Sequence, residues 1–290
     1  MTGPNAALAP GIDGLLLIDK PAGITSHDAV DRVRRALGVR KVGHAGTLDP
    51  IATGLLVMGV GRGTRLLRFL GELPKTYEGT GVLGIETTTL DADGEVVRTA
   101  AADVRETELR RAMAELVGDI EQVPPAYSAV KVGGQPLHRA ARAGRPVEAA
   151  LRRVRVDAFD LRRFDPPRFG FRVRCSGGTY VRSLVAEVGA RVGSGAHLEA
   201  LRRTRIGPLA VDDAVPPDRP GRPLPLDDAV RHLPRVVLIE DEAQAARHGR
   251  PLGPAGIEGP YRAVDPRGRL IGIYRDAGAR AIPDVILAPG

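Results

Sequence analysis

The sequence predicts an α+β protein in which a larger domain of strands and helices is followed by a small β-rich domain. The chain has 290 residues, of which 43% are hydrophobic, which is enough for a medium-sized domain with a small companion. Apolar runs bounded by turn residues predict strands, and segments with apolar residues at helical spacing predict helices. A Pro-rich stretch at residues 216–225 separates these segments from a last group of short apolar runs.

The first elements are a strand and a helix. Residues 14–23, GLLLIDKPAG, form an apolar run that ends in turn residues, which is typical of a strand entering a turn. The next segment, TSHDAVDRVRRALG, has apolar residues at helical spacing. Either Thr25 or Ser26 can cap this helix, and Gly38 ends it. The residues before position 14 predict a loose tail with no secretion signal.

Residues 40–54, RKVGHAGTLDPIATG, place one carboxylate between two apolar segments. Asp49 precedes a proline, and an Asp-Pro step is favoured at the start of a helix. On the residues alone, a helix cap therefore explains Asp49 better than a reaction centre does. The segment that follows, GLLVMGVGRGTR, predicts a strand that enters a Gly-rich turn.

The middle of the chain predicts a hairpin and an amphipathic helix. Residues 75–97 alternate in polarity and contain Asp93-Gly94, a hairpin signal. The acidic cluster DADGE is explained by a plain turn, because the remaining ligands of a calcium loop are missing. Residues 107–118, TELRRAMAELVG, predict a helix that ends at Gly118. Its predicted apolar face consists of Leu109, Ala112, Met113, Leu116 and Val117.

The second half of the larger domain begins with a basic segment. Between Lys131 and Arg155 there are seven basic residues and one acidic residue. An arm that grips phosphates and an ordinary charged loop explain this composition about equally well. Residues 169–193 predict a strand that passes through Ser-Gly-Gly into a helix, and the chain then reaches the Pro-rich linker.

Composition and motifs exclude several classes of function for this chain. The net charge of +7 and the pI near 10.0 predict a polyanionic partner, and no apolar run approaches the roughly 20 residues of a membrane span. No histidine pair has metal-ligand spacing, and the phosphate-binding G-x-x-x-x-G-K-[ST] motif is missing. Cys175 is the only cysteine, which predicts a cytoplasmic protein without a disulfide. Cys175 itself is expected to be a buried strand residue. Two classes of function are left: chemistry without a cofactor, and binding without chemistry.

Six motifs in a fixed order then identify a family. They are GLLLIDKPAGITSHDAV, VGHAGTLDPIATGLL, KTYEGTGVLG, QVPPAYSAVKVGGQ, SGGTYVRSL and GAHLEALRRTRIGPL. Together, over roughly residues 14–210, they resemble the bacterial tRNA pseudouridine-55 synthases, the TruB family. The C-terminal segment, which contains GPYRAVDPRGRLIGIYRD, resembles the PUA-type RNA-binding domain of that family more weakly.

The resemblance implies a fold, a domain division and an activity. The expected fold is pseudouridine-synthase-like, with a mixed, largely antiparallel sheet, flanking helices and a PUA-like C-terminal domain. Residues 1–13 would be a tail, 14–215 the catalytic domain with an RNA-gripping arm at 122–155, 216–233 a linker and 234–290 the RNA-binding domain. The implied reaction isomerises uridine 55 in the TΨC loop of tRNA to pseudouridine. It needs no metal, nucleotide or other cofactor, and we expect a monomer.

The family motifs also imply roles for particular residues. Asp49 would be the essential carboxylate, Arg182 its partner and Tyr77 the aromatic residue against the flipped uracil. The other residues expected at the substrate are His44, Tyr180, Leu201 and Lys20, with Pro21 beside the lysine. Two residues depart from the family pattern: His138 stands where a tyrosine is frequent, and Thr204 where an apolar residue is usual.

Three chemical routes remain open for such a site. Asp49 could attack C1′ of the ribose, add to C6 of the base, or remove the 2′ proton to give a glycal. All three require an ionised carboxylate. The rival from another class is an RNA-binding protein that helps tRNA to fold, for which Asp49 would be dispensable. A phosphate-loop hydrolase is disfavoured because the Gly-Lys pair is missing.

Overall fold

The computed structural model describes residues 12–128, 131–132, 135–137 and 150–287. In this part of the chain it contains a mixed, largely antiparallel sheet with helices against it, followed by a smaller sheet, which confirms the predicted fold class. Residues 129–130, 133–134 and 138–149 of the predicted arm at 122–155, among them His138, lie outside the described residues. None of the described helices has the length and apolar character needed to cross a bilayer.

Nine strands form the larger sheet. They are β1 (Gly14–Lys20), β2 (Val42–Ala45), β3 (Thr53–Val60), β4 (Lys75–Leu83), β7 (Gly118–Gln122), β10 (Arg152–Asp165), β11 (Arg168–Cys175), β12 (Ala196–Ile206) and β13 (Leu209–Ala210). The main path runs β1-β3-β12-β4-β11-β10-β7, with β2 added to β3 and β13 to β12. Only the β3–β12 contact is parallel, and it pairs Arg203 with Gly54. This contact brings the loop between β2 and β3 next to β12.

Two short hairpins lie outside the larger sheet. They are β5 (Ile85–Thr87) with β6 (Val96–Thr99) and β8 (Lys131–Val132) with β9 (Gln135–Pro136). The hairpin predicted over residues 75–97 is thus divided: β4 joins the larger sheet, and Asp93-Gly94 turns the shorter β5–β6 pair. The division follows from Gly84, whose φ of +84° bends the chain between β4 and β5.

Five helices are described, together with three 3-10 segments. The helices are α1 (Ser26–Leu37), α2 (Leu67–Gly71), α3 (Glu106–Ala114), α4 (Val181–Arg191) and α5 (Glu240–Arg247). The 3-10 segments are Gly61–Leu66, Val211–Asp213 and Leu226–Val230. The predicted Gly-rich turn after β3 is therefore a 3-10 helix. In α1 the cap is Thr25, which forms a reciprocal capping box with Asp28, and Gly38 ends the helix at a φ of +65°.

Helix α3 is shorter than the sequence predicted. It ends at Ala114, and Gly118 begins β7 instead of closing the helix. Leu116 still reaches the core through the intervening turn, whereas Val117 is 44% exposed, so its assignment to the apolar face was wrong. The reason is tertiary: the backbone of Gly118 pairs with Val156 of β10, and this pairing overrides the helical periodicity.

The larger sheet has an apolar cluster on each face. Leu16 and Ile18 of β1 face the cluster that contains α1, α3 and α4, while Leu15 and Leu17 face the other. This alternation is the two-residue period of a strand. The second cluster also contains residues from the C-terminal sheet, among them Ile273, Val285 and Leu287. The two sheets therefore share this second apolar cluster.

The C-terminal sheet has the order β14-β15-β16-β17 and carries α5 on one face. Its strands are β14 (Arg235–Val237), β15 (Pro260–Val264), β16 (Leu270–Ala277) and β17 (Arg280–Ile286). The Pro-rich segment before it is packed onto the larger sheet. Leu224 exchanges two backbone hydrogen bonds with Leu15, and Ala229 and Val230 are fully buried.

Candidate active site

The turn that carries Asp49 is fixed from three sides. The backbone N–H of Ala52 donates to the Asp49 carbonyl, which closes a turn, so the helix cap considered for Asp49 is wrong because no helix begins there. Ser26 of α1 bonds both backbone groups of Leu48: its Oγ donates to the carbonyl at 3.0 Å and accepts from the N–H at 2.8 Å. On the third side, Gly23 donates to the carbonyl of Pro50.

Lys20 ties the same turn to the end of β1. Its side chain is fully buried, and Nζ donates to the carbonyls of Pro21 and Ile24 at 2.9 and 2.7 Å, with a longer contact to Pro50. Burial lowers the pKa of Lys20 to about 8, against the opposing effect of Asp49. The structure therefore places Lys20 beneath the turn, away from the cavity that Asp49 faces.

Arg182 joins two carboxylates. Its Nε lies 3.0 Å from Asp49 Oδ2, and its Nη1 lies 3.2 Å from Asp91 Oδ2. It also donates to the backbone carbonyls of Thr89 and Tyr127 at 2.8 and 3.0 Å. The Arg182 side chain is 5% exposed and Asp91 is equally buried, whereas Asp49 keeps 37% of its side-chain surface in contact with solvent. Only Asp49 of these three can meet a substrate without a rearrangement.

The pKa of Asp49 is raised above its ordinary value, chiefly by loss of hydration. The Arg182 guanidinium opposes this rise, whereas the negative charge of Asp91 adds to it. The group is thus a more basic carboxylate than a free aspartate, held in one orientation by a buried cation. Such a carboxylate can attack carbon or accept a proton when it is ionised.

Asp49 opens into a cavity of about 360 Å³. Its lining includes Tyr77 of β4, Leu201 of β12 and Tyr180 at the start of α4, together with Arg182. These residues come from three separate segments of the chain, and the fold brings the segments together. The cavity thus combines a carboxylate, aromatic side chains and an apolar wall, as the family motifs implied.

Tyr180 is fixed through its backbone. Its N–H donates to Gln122 Oε1 at 3.0 Å, and its carbonyl accepts from Gln122 Nε2 at 3.3 Å.

His44 lies outside the cavity lining, half-buried on β2. Burial lowers the pKa of His44. Thr204 also lies outside the lining and donates to the backbone carbonyl of Thr76.

Sequence reasoning missed three residues of this site, namely Asp91, Lys75 and Arg203. Asp91 belongs to the acidic cluster DADGE, which the sequence explained as a plain turn. In the structure its carboxylate is buried, and a buried carboxylate requires a cation partner, here Arg182. Arg203 could have been found, because it stands two residues after Leu201 on one strand and therefore shares its face. Both Lys75 and Arg203 line the cavity and are buried.

Among the residues that the structure describes, no group of three His, Cys, Asp or Glu side chains could hold a metal ion. Cys175 is buried in β11, as expected, and burial raises the pKa of its thiol to about 11. Its thiol is therefore protonated at neutral pH and a poor nucleophile.

Two family models match the chain. Residues 34–181 match "TruB family pseudouridylate synthase (N terminal domain)", and residues 233–288 match "tRNA Pseudouridine synthase II, C terminal". The first match includes Asp49, Tyr77 and Tyr180 and ends one residue before Arg182.

Curated relatives are similar over nearly the whole chain. A protein named tRNA pseudouridine synthase B from Mycobacterium sp. (strain KMS) is 48% identical over 290 aligned residues, which cover 95% of this chain and 96% of the relative. A protein of the same name from Thermobifida fusca (strain YX) is 46% identical and covers 95% of this chain and 99% of the relative.

A solved structure shows the same architecture. A chain from the crystal structure of a Cbf5-Nop10-Gar1 complex superimposes with a TM-score of 0.73 at 27% identity. The alignment covers 94% of this chain and 84% of that one. The likeness of fold therefore extends over both the larger sheet and the C-terminal sheet.

Proposed function

We propose, because the chain belongs to the TruB family of pseudouridylate synthases and is thus an isomerase that acts on tRNA, that its target is uridine 55 in the TΨC loop. The observation that carries the proposal is the Asp49–Arg182 ion pair at a cavity lined by Tyr77 and Leu201. These residues occupy the positions of the family motifs that act on the flipped uridine.

The target uridine must leave its stack before the carboxylate can reach it. Extrusion of a base costs a few kcal/mol, and stacking on an aromatic side chain returns about 1–3 kcal/mol per base. Tyr77 and Tyr180 are the aromatic residues of the cavity and would receive the base. Tyr77 is buried, and burial raises the pKa of its phenol, so it would enter the reaction as a neutral hydroxyl.

Asp49 would begin the isomerisation as an ionised carboxylate. Attack on C1′, addition to C6 and removal of the 2′ proton all remain possible first steps, and each ends with cleavage of the bond between C1′ and N1. The base then turns, C5 forms a bond to C1′, and the C5 proton is replaced by one on N1. Leu201 is one of the apolar residues of the wall that would keep water from C1′ in the meantime.

The rest of the molecule would hold the folded RNA. The net charge of +7 favours a polyanion, and the basic residues between Lys131 and Arg155 would contact phosphates of the TΨC arm. The C-terminal sheet would add to the tRNA-binding surface. A monomer in the cytoplasm fits this role, since tRNA is the partner and Cys175 is a reduced, buried thiol.

The central experiment mixes purified protein with unmodified tRNA transcript and no cofactor, and maps pseudouridine by position. We expect conversion at position 55 alone, and a transcript with cytidine at that position should yield no product. Asp49→Asn should abolish conversion while leaving the Kd for tRNA within about threefold. Asp93→Asn, a change of the same kind outside the cavity lining, serves as the control.

The rival hypothesis, a tRNA-folding helper without chemistry, gives the opposite result. It predicts that no pseudouridine forms and that Asp49→Asn refolds misfolded tRNA as well as the unchanged protein does. Conversion at a tRNA position other than 55 would keep the enzyme class and overturn the proposed target.

A further inference from the structure

Arg203 is a buried cation without a carboxylate partner. It is 1% exposed, and no carboxylate of the described residues lies within ion-pair distance of it. Its Nε donates to the carbonyl of Leu55 at 2.7 Å, and its Nη2 donates to the carbonyl of Gly46 at 3.0 Å. The guanidinium is thereby held in one plane between β12, β3 and the turn that leads to Asp49.

Lys75 is a second cation of this kind. It is 5% exposed and lines the same cavity as Arg203. Its Nζ donates to the backbone carbonyls of Gly71 and Leu73, and no described carboxylate forms an ion pair with it. Burial, and to a smaller extent the charge of nearby Arg203, lowers the pKa of Lys75 to about 8.

The distribution of charge around the cavity is therefore uneven. Arg182 is neutralised by Asp49 and Asp91, and Lys20 faces Asp49 from below. Arg203 and Lys75 form no ion pair among the described residues and are held mainly by backbone carbonyls. Removing a charge from water without a counter-charge is costly, and backbone carbonyls offset only part of that cost. A site that keeps two such cations is prepared for negative charge that arrives with the substrate or develops during the reaction.

We propose that Arg203, assisted by Lys75, stabilises the uracil anion that forms when the N-glycosidic bond breaks. This inference rests on the proposed function. When the bond between C1′ and N1 breaks, its electron pair stays with the base and spreads over N1, O2 and O4. C1′ receives electrons from the Asp49 oxygen or from the 2′ C–H bond, whose proton Asp49 then accepts. When C5 joins C1′, the electron pair returns to the Asp49 oxygen or, on the glycal route, to the 2′ carbon, which takes its proton back from Asp49. C5 then loses its proton and N1 takes one up, so that the base ends neutral.

The position of Arg203 agrees with this role. Its guanidinium contacts the side chain of Tyr77, the aromatic residue proposed to lie against the base, and both residues line the cavity. The anion would thus form beside the guanidinium on the Tyr77 side of the cavity. Asp49, paired with Arg182, remains engaged with the ribose.

The first test compares single-turnover rates at saturating tRNA. Arg203→Gln should lower the rate about 100-fold or more, the usual effect of removing one preorganised donor from developing charge. The Kd for tRNA should change less than about threefold. Arg203→Lys should recover part of the rate because the charge remains. Arg205→Gln on the same strand, an exposed residue outside the cavity, should match the unchanged protein.

The second test varies the leaving group. Fluorine at C5 makes uracil more acidic and its anion more stable, so tRNA with 5-fluorouridine at the target position needs less help from the protein. The readout is the loss of the N-linked nucleoside after digestion. Arg203→Gln should therefore be impaired at least fivefold less on this substrate than on uridine tRNA. Lys75→Gln should show the same selectivity with a smaller effect.

The outcomes separate this inference from the proposed function. If the unchanged protein fails to convert uridine 55, the proposed function is wrong. If it converts uridine 55 but Arg203→Gln and Lys75→Gln lose equal factors on both substrates, the inferred role is overturned and both residues are structural. Should Arg203→Gln not fold, Arg203→Lys and Lys75→Gln decide the question by the same ratio.

Discussion

Arg182 shows how a lone carboxylate can be kept reactive inside a protein. An arginine that paired with Asp49 alone would hold it ionised but would also draw electron density from it. Here the guanidinium divides its charge between Asp49 and Asp91, and Asp91 in addition raises the pKa of Asp49. Asp91 is buried, so this second interaction is poorly screened by solvent. The carboxylate proposed to act on the substrate is thus oriented by the arginine and yet remains basic.

Neutralising Asp91 should therefore make Asp49 more acidic. In Asp91→Asn the charge that raises the pKa of Asp49 is gone, so the acid limb of the single-turnover rate should move to lower pH. At neutral pH the rate should fall about 10-fold or more, because Arg182 then interacts with Asp49 alone and weakens it as a nucleophile or base. The measurement is the rate between about pH 4.5 and 8.

Asp93→Asn is the matched control for this prediction. Asp93 belongs to the same acidic turn, and its influence on the pKa of Asp49 ranks below that of Asp91. The acid limb of the rate profile should therefore move less in Asp93→Asn than in Asp91→Asn. An acid limb that stays in place in Asp91→Asn, or that moves to higher pH, would contradict the coupling between the two carboxylates.

The sequence predicted which residues line this cavity better than it predicted their buried neighbours. The family motifs placed Asp49, Tyr77 and Arg182 together, and the structure brings all three to one cavity. Asp91 was missed because its contact with Arg182 depends on the pairing of its turn with β12 through Leu198. Periodicity along a chain contains no information on such a long-range contact.

At the scale of elements, helix α1 supports the turn that carries Asp49. Its first residue, Ser26, bonds both backbone groups of Leu48, the residue before Asp49. The preceding residue, Thr25, caps the helix but makes no hydrogen bond to the turn. The two neighbouring hydroxyls thus have different tasks: one begins the helix, and the other fixes the position of the carboxylate relative to it.

Removing each hydroxyl in turn separates these tasks. Both Ser26→Ala and Thr25→Ala should lower the free energy of unfolding by about 1–2 kcal/mol, through a lost buried hydrogen bond and a lost helix cap respectively. Only Ser26→Ala should also lower kcat, by about 10-fold, because small displacements of a reacting group are costly. Urea denaturation and turnover assays measure the two effects. Equal loss of kcat in both variants would contradict a positioning role for Ser26.

The elements that were predicted well are those with strong local signals. Helix α1 has a cap, a periodic apolar face and a terminating glycine, and its bounds agree with the sequence prediction. Helix α3 has the same kind of face, but the chain leaves it at Ala114 to form β7. The hydrogen bonds of the β7–β10 pair replace the last helical turn, and the sequence of α3 itself gives no sign of that partner.

At the scale of the whole molecule, the two sheets are joined by polar as well as apolar contacts. Three arginines of the segment after β3 donate to carbonyls at the end of β17: Arg62 to Leu287, Arg65 to Ile286 and Arg68 to Asp284. These contacts use the edge of the C-terminal sheet, where backbone groups would otherwise lack partners. A surface assembled in this way would present a fixed geometry to a folded RNA.

The shared core predicts that both sheets unfold together. Val285 of β17 lies in the same apolar cluster as Leu15 and Val57 of the larger sheet. Val285→Ala should cost about 2 kcal/mol of unfolding free energy, which corresponds to about 30-fold faster exchange of globally protected amides. Because the cluster spans both sheets, this acceleration should appear in β1 and β3 as well as in β16. Ile282→Ala, at a more exposed position of β17, should change exchange little in either sheet. Faster amide exchange confined to the C-terminal strands would contradict this prediction. It would mean that the two sheets unfold independently and that the larger sheet maintains the cavity without the C-terminal sheet.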